Sequence, residues 1–142
     1  MSAFDLLRIY REAVAAVEPR AAVLHALALD GDMLHAGGFS CDLAGVARIL
    51  VVGAGKAAAG MSTGVEQVLN GRIESGLVIV KDGHTGQPGS IAQVEAGHPL
   101  PDERGARAAA LMMDLVGDAD AKNLAAAADY LVIFYSQNLT AP

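Results

Sequence analysis

The segment VVGAGKAAAG (51–60) decides the fold: an apolar run enters two glycines, Gly53 and Gly55, and leaves through an alanine-rich stretch suited to a helix. A strand that turns within a few residues into a helix is the βα junction of a parallel sheet. Glycines there let the chain turn tightly, and a ligand can approach the amides at the start of the helix. Gly53, Ala54 and Gly55 are therefore candidates for holding an anion. Lys56 strengthens the reading, because a cation at a helix start opposes the helix dipole at a cost of about 0.3–1 kcal/mol. The alternative is a tight strand-to-helix turn that binds nothing.

Two familiar phosphate motifs fail at this segment. A Walker A loop would need glycine and Ser or Thr where Leu50 and Ala57 stand. A GxGxxG dinucleotide fingerprint would place its third glycine at Ala58, and the next glycine comes late, at Gly60. Asp82, just past the following strand, is the candidate ribose acceptor if a dinucleotide binds at all.

Working outward, LVIV (77–80), IAQVEA (91–96) and YLVIF (130–134) read as further strands, and YLVIF is apolar enough to be buried on both faces. Helices are expected over 57–69 and 103–116, the second capped by Asp102. Upstream, Phe4, Leu7, Val14 and Val17 recur at helical spacing behind a Ser2 cap. Pro19 opens a second helix running to about Leu29, and Gly31, Gly37 and Gly38 then make a loop. The alternation predicts an α/β fold, an open, mostly parallel sheet with helices on both faces.

The chain has 142 residues, enough for one core at roughly 100–150 residues per domain. Its residues are 53 % hydrophobic but only 4 % aromatic, so the core must be small, aliphatic and closely packed. Ten basic against sixteen acidic residues give a net charge of −6, which excludes a phosphate-tracking surface for nucleic acid. Cys41 stands alone, so neither a disulfide framework nor a cysteine zinc cage is expected. Charges at Asp5, Arg8, Arg11 and Glu12 interrupt any signal sequence, and no apolar run nears the roughly 20 residues that span a bilayer. A cytoplasmic protein with no membrane partner is expected.

Two more loops follow strand ends, where open parallel sheets form their ligand crevice. In EAGHPLPDERG (95–105), Pro99 and Pro101 stiffen the chain around His98, and Glu95 is near enough in sequence to form an acid/base or hydrogen-bonding pair with it. Otherwise both residues brace the loop. KDGH (81–84) brings Lys81, Asp82 and His84 to the same edge, as ligand contacts or as solvated turn residues. No metal ligand set is read from the chain, because His84 and His98 lack companions at the familiar spacings.

Taken in order, VVGAGKAAAGM, GLVIVKDGH and VEAGHPLPDERG resemble the N-terminal domain of class II glycerate kinases, the glycerate 2-kinase family, and the likeness runs over 8–134. The resemblance implies a Rossmann-like domain and, with ATP and Mg²⁺, transfer of the γ-phosphoryl group to the 2-hydroxyl of D-glycerate. It assigns Lys56 to catalysis and places Gly53, Gly55 and His98 at the substrate or phosphate, while Ala54, Asp82, His84 and Glu95 stay candidates from the residues themselves. The family continues after LVIF into SGGGSAL and a second domain, whereas this sequence reads YSQNLTAP. The expectation is one partial domain over 1–142 without the C-terminal domain, inactive by itself and prone to form a homo-oligomer. A non-catalytic anion-binding or dimerisation module, and an NAD(P)-dependent hydroxypyruvate reductase, are the alternatives.

Overall fold

A computed structural model describes residues 3–117 and 130–136. Helix α1 (Ala3–Ala16) is amphipathic as expected, with its Ser2 cap outside the described residues. Its apolar side chains Phe4, Leu7, Tyr10 and Val14 are 47–78 % exposed, so α1 adds little to the core. Helix α2 (Pro19–Ala26) starts on its proline, and the cap is Glu18. The Glu18 carboxylate accepts the Arg20 and Ala21 amides at 3.0 and 2.7 Å. Those bonds hold its carboxyl below the usual range and satisfy two amides that the helix leaves open.

The expectation of a helix to Leu29 and a loop beyond it is corrected here. α2 ends at Ala26, and the chain turns directly into β1 (Leu27–Asp30), β2 (Met33–Ala36) and β3 (Phe39–Asp42), an antiparallel three-stranded sheet. Asp30 pairs with Met33 and Ala36 with Phe39, so each turn has two central residues. Gly31 and Gly37 open those turns at φ +59°, the left-handed backbone that favours glycine in a two-residue hairpin.

The main sheet is four-stranded and wholly parallel, in the order β6-β5-β4-β7, with β4 (Arg48–Ala54), β5 (Ser75–Lys81), β6 (Ile91–Ala96) and β7 (Tyr130–Ser136). Burial of the β7 side chains lies outside what is described. Two helices cover the sheet, α3 (Ala58–Leu69) and α4 (Glu103–Gly117). Ile49, Val51, Val78, Val80 and Ile91 join Ala58, Val65 and Leu69 of α3 in one core. Leu50, Val52 and Leu77 alternate with them and are buried on the opposite face, as is Ala108 of α4. The α/β reading with helices on both faces therefore holds.

Gly60 and Gly64, one turn apart on α3, let α2 approach closely. A Cβ on Gly60 would stand 3.1 Å from Pro19 Cβ, and one on Gly64 would stand 2.8 Å from Val23 Cβ. The glycine that comes too late for a dinucleotide fingerprint is thus a helix-packing residue.

The β5–β6 crossover contains no helix. Residues 82–90 instead cross the α3-facing side of β6, tied down by side chains. Glu95 accepts the Gly83 amide at 2.7 Å, Gln93 accepts the Gly86 amide at 2.7 Å, and Glu66 of α3 accepts the Ile91 amide at 2.7 Å.

Candidate active site

All four parallel strands end at one edge, and each sequence-derived candidate lies there. Gly53 is buried within β4, and Ala54 ends the strand. Gly55 adopts φ +132°, donates its amide to Ile79 O at 3.0 Å and accepts the Ala58 amide at 3.1 Å. This turn sends the chain from β4 into α3 and leaves Lys56 on the surface. Among the described residues no acceptor takes up its ammonium. The N-cap of α3 is Ala57, whose side chain makes no capping bond, and the first turn holds no acidic residue. The positive end of the helix and the lysine are thus left together, an arrangement that favours an anion.

The neighbouring loop is organised by Arg104, a residue the sequence reading passed over. Its guanidinium forms a two-pronged pair with Asp82, at 2.7 and 2.8 Å, and donates to Asp102 at 2.6 and 2.8 Å. Asp102 also accepts the amides of Gly105 at 3.0 Å and Gly97 at 3.1 Å, so it caps α4 as expected and ties the preceding loop to it. The Arg104 hydrogen bonds hold the Asp82 carboxyl below its usual range. For Asp102 the Gly105 amide is the larger cause, with Arg104 second. The guanidinium is raised in turn, by Asp82 first. Arg104 was detectable, since it too is a cation in the first turn of a helix. Its carboxylate partners lie within the chain, whereas Lys56 has none among the described residues.

These contacts correct two expectations. Asp82 offers no free carboxylate to a ribose, because both of its oxygens are engaged by Arg104. Glu95 and His98 do not pair: Glu95 holds Gly83, while His98 is exposed and precedes a cis peptide to Pro99. His84 is exposed as well, with Nδ1 3.0 Å from the Asp82 carbonyl. Among the described residues no group of three His, Cys, Asp or Glu is placed to hold a metal, and no helix is long and apolar enough to cross a membrane. The turn fits a phosphoryl or carboxylate group. Among the described residues it offers no carboxylate set for Mg²⁺, because Asp82 and Asp102 are held by Arg104 and Glu95 by the Gly83 amide.

The Arg104 clamp predicts an acid response. Asp82 and Asp102 have lowered pKa values in the fold, so their contribution to stability is present above the ordinary carboxylate value of about 3.9 and is lost as pH falls through the folded values. Carbon-detected carboxyl titration should find both groups titrating below that value, and Arg104→Ala should move both upward. Ordinary titration of Asp82 in the unaltered chain would mean that the clamp does not form in solution.

Comparison with known proteins agrees with this architecture. Residues 5–128 match the family described as Domain of unknown function (DUF4147). A glycerate 2-kinase of Pyrococcus horikoshii is 35 % identical over 98 residues, 69 % of this chain and 21 % of that protein. A D-glycerate 2-kinase of Thermotoga maritima is 37 % identical over 49 % of this chain and 17 % of that protein. A protein of Agrobacterium vitis named as a hydroxypyruvate reductase is 36 % identical over 73 % of this chain and 20 % of its own length. A crystal structure of a Pyrococcus horikoshii protein superposes with a TM-score of 0.63 at 33 % identity, covering 76 % of this chain and 24 % of that one. The chain spans about a fifth of the length of these relatives. By sequence and by fold, the chain belongs to the DUF4147 family, the N-terminal region of glycerate kinases.

Proposed function

We propose that this chain is the phosphoryl-site segment of a glycerate 2-kinase, with Lys56 as the catalytic cation. The observation that carries the reading is the contrast at the sheet edge: Arg104 is answered by Asp82 and Asp102, while Lys56 stands exposed at the start of α3 with no acceptor for its ammonium among the described residues. In the reaction, the 2-hydroxyl oxygen of D-glycerate attacks the γ-phosphorus of ATP. The bond to the β,γ-bridging oxygen breaks, ADP leaves, and the hydroxyl proton is lost. Charge on the transferring group is what a fixed lysine stabilises. The glycine turn admits the anion, and His98 and His84 sit on the rim.

Mg²⁺, needed to neutralise the nucleotide, would take its ligands outside the residues described here. We therefore place transfer itself in the longer protein, in the cytoplasm, and expect the 142-residue chain to bind but not to turn over. The apolar face of α1 favours self-association of the isolated chain. A non-catalytic anion-binding module is the second reading, in which the same glycine turn and Lys56 hold an anion and no transfer follows. A dehydrogenase is disfavoured, since Gly60 serves helix packing and Asp82 is engaged.

Amide-resolved titration separates these readings. D-Glycerate and Mg²⁺–ATP should each perturb the 53–59 amides, NADH should not, and no ADP should form above background in a coupled assay. ATP binding sinks the module reading, while a response to NADH at the 53–59 turn sinks the kinase.

A further inference from the structure

We infer that the β5–β6 loop forms a wall of the Lys56 site, and that Glu95 and Gln93 are the positioning residues that hold it there. The inference rests on the proposed function for the identity of the ligand. Parallel strands are ordinarily joined by a helix, whose backbone satisfies itself. Residues 82–90 have no such ladder, and being exposed their amides could pair with water; several are instead taken by side chains.

The acceptors come from β6. Ile91, Gln93 and Glu95 share one side of that strand, the side that faces α3. Ile91 enters the core, while the next two extend over it. Glu95 Oε1 takes the Gly83 amide at 2.7 Å. The Gln93 amide works at both ends, with Oε1 accepting from Gly86 at 2.7 Å and Nε2 donating to the Gln87 carbonyl at 3.2 Å. At the far end of the loop, Glu66 of α3 accepts the Ile91 amide at 2.7 Å.

The held loop abuts the start of α3. A Cβ on Gly86 would meet the Ala59 Cβ at 3.4 Å, only three residues beyond Lys56. His84 and Thr85, both exposed, lie directly before that contact in the same loop. Glu95 then acts through its hydrogen bond to Gly83, not as an acid or base. That distinction separates glutamate from its amide: glutamine keeps the accepting oxygen and loses the titratable proton.

The test uses the full 142-residue chain, with D-glycerate and inorganic phosphate as probes, amide exchange at Gly83 and Gly86, and the thermal midpoint as a control. Glu95→Ala should release the Gly83 amide and weaken D-glycerate binding by about tenfold, at a nearly unchanged thermal midpoint. Glu95→Gln should bind within about twofold of the unaltered chain, because the hydrogen bond survives. Gln93→Ala should release Gly86 and weaken binding similarly. If the unaltered chain binds D-glycerate and Glu95→Ala binds it equally well, the wall is wrong while the proposed function stands. The same holds if Glu95→Gln fails as badly as Glu95→Ala, a pattern that would mark Glu95 as an acid or base. If the unaltered chain binds neither probe at the 53–59 turn, the proposed function fails, and the positioning role falls with it.

Discussion

Lys56→Ala in the complete kinase is expected to lower kcat for glycerate phosphorylation by about a hundredfold to a thousandfold, the usual loss when one preorganised charge-stabilising group is removed from a transition state. Stability should move little. Lys56 is exposed, and a surface change of this kind usually stays within about 0.5 kcal/mol. Removing a cation from the positive end of α3 is neutral or slightly favourable to the helix. Activity and thermal midpoint should therefore part company, which a collapsed fold could not produce. Lys56→Arg keeps the charge but changes the reach, so it should recover binding better than turnover. Near-normal turnover in Lys56→Ala, measured by ADP release, would make the residue peripheral and remove the centre of the proposed function.

A second large effect is expected at a position far from the chemistry. Gly64→Ala improves helix propensity by up to about 1 kcal/mol, yet it should destabilise the fold. The added methyl would sit 2.8 Å from Val23 Cβ and 3.1 Å from the Arg20 carbonyl, so α2 must move away from α3. Overpacking of this kind costs about 1–3 kcal/mol. Adding Val23→Ala should restore only a small part of the loss, because it removes the Cγ1 contact at 3.0 Å while the Cβ stays at 2.8 Å. Denaturant melts of the two single variants and the double variant give the coupling energy directly. Additive losses, or a gain from Gly64→Ala alone, would show that α2 is not seated on these glycines.

What was legible in the sequence was local. The runs at 49–52 and 77–80 are continuous because both faces of those strands are mostly buried, the weaker pattern at 91–95 fits a strand buried only in part, and the structure places all three in one parallel sheet. Asp102 was readable as a cap because a cap bonds amides only a few residues away. The error over 27–42 has a physical source. Leu24, Leu27 and Ala28 keep helical spacing across the end of α2, which obscured two short hairpins whose turns begin at Gly31 and Gly37.

The site was legible in part. A glycine turn with a lysine at a helix start is a local pattern, and Arg104 shares only the cation in a first turn. What no local reading could supply was the partner. Asp82 lies 22 positions from Arg104, and Glu95 lies 12 from Gly83. Sequence proximity suggested pairing Glu95 with His98. On β6, Glu95 shares a face with Gln93, and both reach the loop that returns over that face.

The position of β7 has a consequence for how this chain is made. Strand β4 pairs with β5, the next strand of the main sheet, and on its other side with β7, so that Arg48 meets Tyr130 across more than half of the chain. Hairpins such as β1–β2–β3 close as soon as they leave the ribosome, but a contact of such high order waits for synthesis of its distant partner. Until then β4, which contains the fully buried Leu50 and Val51, is an edge strand with a free row of amides and carbonyls. Nascent chains that stall before residue 130 would offer that row to one another. The interval of aggregation risk is therefore set by elongation through 55–129, and a holdase that shields the outer side of β4 would protect the chain through that interval.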